Sequence, residues 1–199
     1  MKSNPQIYHR RSVRLKNYDY STDGAYFITI CTQNRESLFG NIGNGCMILN
    51  NAGRMIKTVW DDIPQYYPGI GIDVFQIMPN HVHGIIFVGA TPCGCPIGKP
   101  CPDDRPGQAQ GPAPTKKLSL PDVVHRYKTM TTCEYIRNVK QNQWKPFDGK
   151  LWQRNYYEHV LRNDESMQKT REYIVNNPLK WEFDEYNPNN ATKWKITCA

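Results

Sequence analysis

IDVFQIMPNHVHGIIFV, residues 72–88, decides the architecture. Two apolar runs, 72–78 and 82–88, flank Pro79-Asn80 and read as strand, tight turn and second strand. Upstream, AYFITICTQ at 25–33 is rich in β-branched and aromatic residues, follows Asp23-Gly24 and suits a buried strand. The stretch 38–49, punctuated by Gly40, Gly43 and Gly45, reads as a broken strand or hairpin. Asn50 or Asn51 then caps a helix running to about residue 66, with Met55, Ile56, Val59, Trp60 and Ile63 at helical spacing and Pro68-Gly69 closing it.

Downstream, residues 90–114 hold seven Pro and four Gly and almost no large apolar side chain, which predicts a flexible insertion with nothing to bury. Ser119-Leu-Pro-Asp122 carries the marks of a helix start. Val123, Val124, Tyr127, Met130, Thr131, Tyr135 and Ile136 then fall on one side of that helix. Residues 151–161 alternate as a strand, and Asp164 caps a last helix to about residue 176, where Pro178 biases its predecessor away from helical geometry. The order strand, helix, strand, strand, helix, strand, helix predicts an α+β protein: a ferredoxin-like antiparallel sheet with helices packed on one face. A basic arm (1–24), a main domain (25–181) and a polar tail (182–199) complete the expected organisation.

The chain of 199 residues is 39% hydrophobic and 12% aromatic, enough for a core, and wholesale disorder is excluded. No run approaches the ~18 apolar residues that cross a bilayer, and the first residues lack the apolar middle of a secretory signal. Seven cysteines, an odd number, argue against a disulfide framework and for reduced thiols, so a cytoplasmic protein is expected. The close trio Cys93, Cys95 and Cys101 lacks the paired spacing of structural zinc. The net charge of +7 points to a polyanion. Five of the first twenty residues are basic: Lys2, Arg10, Arg11, Arg14 and Lys16. Tyr8, Tyr18 and Tyr20 are interleaved with them. A basic run is also an ordinary solvated face, so charge alone does not choose.

Two local patterns carry chemistry. On a strand, His81 and His83 share parity and project from one face, where two imidazoles can chelate a divalent cation. The ordinary reading is one core and one surface histidine. In REYIVNNP, Tyr173 and Asn177 are four apart and face the same way on a helix. There the ordinary reading is a core tyrosine and a capping amide.

Taken together, PNHVHGII, WQRNYYEHVLR, YIVNNP and the opening YDYSTDGAYFITICTQNRESLFG resemble the IS200-like, REP-associated tyrosine transposases, members of the HUH class of single-strand DNA nucleases. The likeness runs from about residue 10 to 181, in the right order. The resemblance implies an endonuclease and strand transferase that forms a 5′-phosphotyrosine at hairpin or palindromic DNA, as a monomer or homodimer. It maps the histidine pair to His81 and His83, the nucleophile to Tyr173, and the third ligand of a Mg²⁺ or Mn²⁺ ion to Asn177, with Asn176 as the substitute. Tyr156 and Tyr157 are rival nucleophiles. Arg10, Arg11, Arg14, Lys16 and Arg154 are the expected DNA contacts, with Tyr18, Tyr20, Trp152, Tyr156 and Tyr157 as candidate stacking rings. Gln153 and His159 share the strand parity of Tyr157 and are secondary candidates for that face. Two other classes compete: a catalytically silent single-stranded nucleic-acid binder, and a zinc hydrolase whose extra ligand would have to be Asp73 or His125.

Overall fold

A computed structural model describes residues 18–89 and 118–190. The proposed contacts Arg10, Arg11, Arg14 and Lys16, most of the basic arm, the 90–114 insertion and the end of the tail lie outside the described residues. The main sheet has the order β4-β5-β1-β6 and is antiparallel throughout: β1 is Gly24–Cys31, β4 Ile70–Ile77, β5 His81–Val88 and β6 Tyr157–Leu161. Helix α1 (Asn51–Asp61) connects β1 to β4, and α3 (Leu120–Asn142) connects β5 to β6. This is the split βαβ order expected from the sequence. A separate hairpin of β2 (Gly40–Gly43) and β3 (Cys46–Leu49) turns at Asn44-Gly45, both with left-handed φ (52° and 71°) as a tight two-residue turn requires.

Strand parity divides the interior. Even-numbered residues of β1 and β5 (Tyr26, Ile28, Ile30, Val82, Ile86) join Ile56, Trp60, Val123, Tyr127 and Trp152 in the main core beneath α1 and α3. Odd-numbered ones (Ala25, Phe27, Ile85, Phe87) join Leu161 and Ile174 in a smaller cluster beneath α4, Asp164–Asn176. Both faces are thus covered, which is why β1 and β5 read as continuous apolar runs. The two long helices share one face as expected; α4 is added on the other. At Gly84, a Cβ would fall 2.6 Å from the Trp60 ring, which lies flat against Phe75 at 4.2 Å. The histidine strand is thereby pressed onto the core through a residue with no side chain.

The helix starts follow local chemistry. Asn50 Oδ1 accepts from Gly53 N–H at 2.9 Å, and Ser119 and Asp122 form a capping box. The helix expected to reach residue 66 stops at Asp61; Pro64 starts a separate short turn, α2 (Ile63–Tyr66), because it cannot continue the hydrogen-bond ladder. The strand expected over 151–161 is confined to Tyr157–Leu161. Before it, Lys128 Nζ donates to the carbonyls of Gln153, Arg154 and Asn155 (2.9, 3.4 and 3.1 Å) and occupies groups a ladder would need. Asn163, not Asp164, caps α4. Asn177 keeps helical geometry (φ −59°, ψ −41°) although Pro178 follows, because the chain tightens into a 3₁₀ turn, Pro178–Phe183, instead of leaving the helix.

Candidate metal centre and nucleophile

The odd-numbered face of β5 ends in the two histidines. His81 lies opposite Cys31 and His83 opposite Thr29 on β1, both fully buried. Their hydrogen bonds define their chemistry. Asn80 Nδ2 donates to the carbonyls of Arg35 (3.0 Å) and Tyr186 (2.7 Å), which turns its amide oxygen toward His81 Nδ1 at 2.8 Å. An amide oxygen only accepts, so Nδ1 carries the His81 proton and Nε2 keeps its lone pair. That Nε2 faces His83 Nε2 at 3.0 Å. His83 Nδ1 meets Thr29 Oγ1 at 2.8 Å, and a hydroxyl can donate or accept there. With Thr29 accepting, both Nε2 lone pairs converge on one point. Burial drives the His83 pKa down to about 3. His81 lies well below its ordinary value through burial, with the charges of His83 and Arg35 adding to it. Both rings are therefore neutral at neutral pH, the form that ligates metal.

Oxygen donors complete the set. Asp184 Oδ2 is 3.8 Å from His81 Nε2, and His81, His83 and Asp184 each present a ligand atom within 4.8 Å of the others. Asn177 is 4% exposed, and its Oδ1 is buried with no hydrogen-bond partner. A buried acceptor left open on a side chain that bonds Tyr173 and Asp184, together with the histidine pair and that carboxylate, fits a cation. Of the two amides proposed, Asn176 is exposed and Asn177 faces the site.

Tyr173, one turn before Asn177 on α4, sets its ring edge-on to His83 at 5.4 Å and to Phe27 at 6.0 Å and is 45% exposed. Its phenol pKa is raised, first by burial and then by the negative charges of Asp184 and Glu185, against which a hydrogen bond from Asn177 works. The Asp184 carboxyl is also raised by burial, opposed by the Tyr186 N–H on Oδ1 at 2.7 Å.

Tyr157 lies on this same face, edge-on to Phe27 at 6.0 Å. Tyr156 packs against the main core under the Lys128 ammonium, away from the histidines. Tyr20 and Trp152 are buried in that core, and Tyr18 packs against it, so none of these three is a free stacking ring. Gln153 lies ahead of β6 with its amide on the Thr32 carbonyl (3.1 Å), and His159 is exposed. Arg154 lines a groove of about 920 Å³ with Asn34, Arg35, Lys150, Gln153 and Asn155. Of the two residues considered for a zinc hydrolase, His125 sits exposed on α3 and Asp73 is paired with Arg171.

No family model matches the chain. An uncharacterized protein of Haemophilus influenzae is 41% identical over 187 residues, covering 92% of this chain and 96% of that one. The chain belongs to that protein's family. A second Haemophilus influenzae protein, named "Putative REP-associated tyrosine transposase", is 22% identical over 176 residues, 86% of this chain and 80% of its own length. Among solved structures, a REP-associated tyrosine transposase bound to a REP hairpin aligns with 84% of this chain and 73% of its own (TM-score 0.49, 18% identity). A "putative transposase" from Deinococcus radiodurans aligns with 82% and 95% (TM-score 0.43, 19% identity). Among the described residues no helix is long and apolar enough to cross a membrane.

Sequence reading missed Asp184. It lies in a stretch read as polar tail, yet Trp181 and Tyr186 set their rings 6.1 and 4.8 Å from His81, and Arg35 Nη1 donates to the Glu185 carbonyl at 2.7 Å. The available signal was two aromatics, Trp181 and Tyr186, on either side of an acid: a free tail has no use for them.

Proposed function

We propose that the protein is a divalent-metal-dependent single-strand DNA endonuclease and strand transferase that cuts by attack of a tyrosine. The observation that carries this reading is the convergence of Tyr173 with His81, His83, Asp184 and the open Oδ1 of Asn177 on one sheet face. The sequence motifs and the name borne by the relative at 22% identity support it.

In this reading His81 Nε2, His83 Nε2, Asp184 and Asn177 Oδ1 hold Mn²⁺ or Mg²⁺, a mixed nitrogen and oxygen set that suits Mn²⁺ well. When bound, such an ion supplies Lewis-acid stabilisation to the scissile phosphate and the departing 3′ oxygen. Asn80 holds His81 in the ligating tautomer, and Thr29 Oγ1 is placed to accept from His83 Nδ1, which leaves the His83 Nε2 open for the ion. Tyr173 Oη attacks phosphorus, the bond from phosphorus to the 3′ oxygen breaks, and that oxygen leaves as a hydroxyl while the 5′ phosphate stays on the tyrosine. The phosphotyrosyl bond keeps the energy of the phosphodiester, so a second 3′-hydroxyl can displace the tyrosine and join strands. The groove lined by Arg35, Lys150 and Arg154 offers cations and amides for an unpaired or hairpin-flanking strand.

Asp184 also supplies the carboxylate that a hydrolase using a bound water needs, and this second reading parts from the first at Tyr173. A labelled hairpin oligonucleotide is incubated with the protein and Mn²⁺, and the products are denatured. Wild type is expected to give a protein–DNA adduct and Tyr173→Phe none. An adduct that survives Tyr173→Phe but not Tyr157→Phe moves the nucleophile to Tyr157. Cleavage without any adduct supports the hydrolase, and tight binding with neither supports a silent binder.

A further inference from the structure

Helix α4, which carries Tyr173, is held to the sheet by little apolar contact. Ile174 is its one buried residue, and Met167 packs partly buried into the same small cluster. The pairs Lys169–Glu165 and Gln168–Glu172 stay within the helix on its exposed side, so they support its shape and not its position.

Position comes from edge strand β4. Its register against β5 shifts between Ile72 and Phe75, a bulge that turns Asp73 and Val74 out of the regular ladder. Val74 packs into the Ile174 cluster. Asp73 Oδ1 accepts the Val74 N–H at 2.8 Å, which fixes the carboxylate, and Oδ2 accepts Arg171 Nε at 2.9 Å and Nη2 at 2.5 Å. The Asp73 side chain is 19% exposed, more shielded than the surface pairs within α4. Arg171 stands two residues before Tyr173, with Ile174 just after it. An ionic contact to Asp73 and an apolar cluster that Val74 of the same bulge joins therefore bracket the phenol.

We infer that Asp73 is a positioning residue for Tyr173: acting through Arg171, it sets the rotation and height of α4 so that the phenol stays beside His83. This rests on the reading of Tyr173 as nucleophile. The nucleophile must meet phosphorus in line, and a displacement of about 1 Å is worth up to ~100-fold in rate.

The test uses the full chain. In Asp73→Asn, adduct formation at saturating oligonucleotide and Mn²⁺ slows about tenfold, while the half-saturating concentrations of both stay at wild-type values. Amide hydrogen exchange rises in α4 and not in β1 or β5. Arg171→Gln gives the same pattern without touching the strand, so it serves if Asp73→Asn folds poorly. The reversed pair, Asp73→Arg with Arg171→Asp, recovers rate and protection above either single reversal. The inference is overturned if the single variants cut at the wild-type rate, if exchange rises equally throughout the sheet, or if the reversed pair is no better than its halves. If wild type forms no adduct, the nuclease reading fails by itself, and the exchange pattern still decides whether Asp73 holds the helix.

Discussion

The two faces of the sheet are cut from the same strands and differ in almost everything else. Under α1 and α3, twenty-two buried residues among those described form one apolar cluster in which Trp60, Tyr127 and Trp152 interlock with β1 and β5. Under α4, the apolar cluster has six, and the rest of the face is given to imidazoles, a carboxylate, an amide and a half-exposed phenol. Parity makes the division sharp: Val82 is core, and the residues on either side of it are His81 and His83. One face can carry stability while the other carries ligands because neighbouring side chains on a regular strand point to opposite sides.

That contrast can be broken deliberately. On the ligand face, His81→Ala or His83→Ala is expected to slow cleavage about 10³-fold or more while hairpin binding persists, read by gel assay beside fluorescence anisotropy. On the core face, Trp60→Ala should lower stability by about 3–5 kcal/mol in urea unfolding, and the protein that remains folded should still bind Mn²⁺.

Smaller changes sharpen the division. Thr29→Val keeps the shape but removes the side-chain partner of His83 Nδ1, so Mn²⁺ affinity measured by calorimetry should fall about 10- to 100-fold while the melting temperature falls less than in Trp60→Ala. Asn177→Ala removes an open acceptor together with the amide hydrogen bonds to Tyr173 and Asp184, so stability should fall by no more than about 1.5 kcal/mol while Mn²⁺ binds more weakly. A large loss of stability in Asn177→Ala would show that the amide belongs to the scaffold.

The sequence carried the parts of this arrangement that have a period. A period of two placed His81 and His83 together, and a helical turn placed Tyr173 with Asn177; the structure brings both pairs to one site. The strand order was equally legible, because each apolar run was bounded by Gly, Pro or a capping residue. What failed to show lacked periodicity. Asp184 arrives through a 3₁₀ turn whose direction is set by contacts with Arg35 and Asn80, residues about 150 and 100 positions away. The apolar start of the 151–161 stretch resembled a strand, but Trp152 makes only an isolated bridge to Thr32 and donates its indole N–H to Thr131 on α3 at 2.9 Å. Nothing local in those residues announces a lysine that takes the next three carbonyls. The side of the sheet taken by α4 was hidden too, since one buried residue makes a faint apolar stripe.

Asn80 gives the molecule a wiring it would otherwise lack. Its side chain touches the loop at Arg35, the returning segment at Tyr186 and the inner ring nitrogen of His81, three stretches of chain joined at a single amide. If residues beyond Asp184 were peeled away, that amide would lose a carbonyl that fixes its orientation, and with it the guarantee of which His81 nitrogen is bare. The competence of a histidine deep in the sheet is thus set partly by backbone more than a hundred residues downstream.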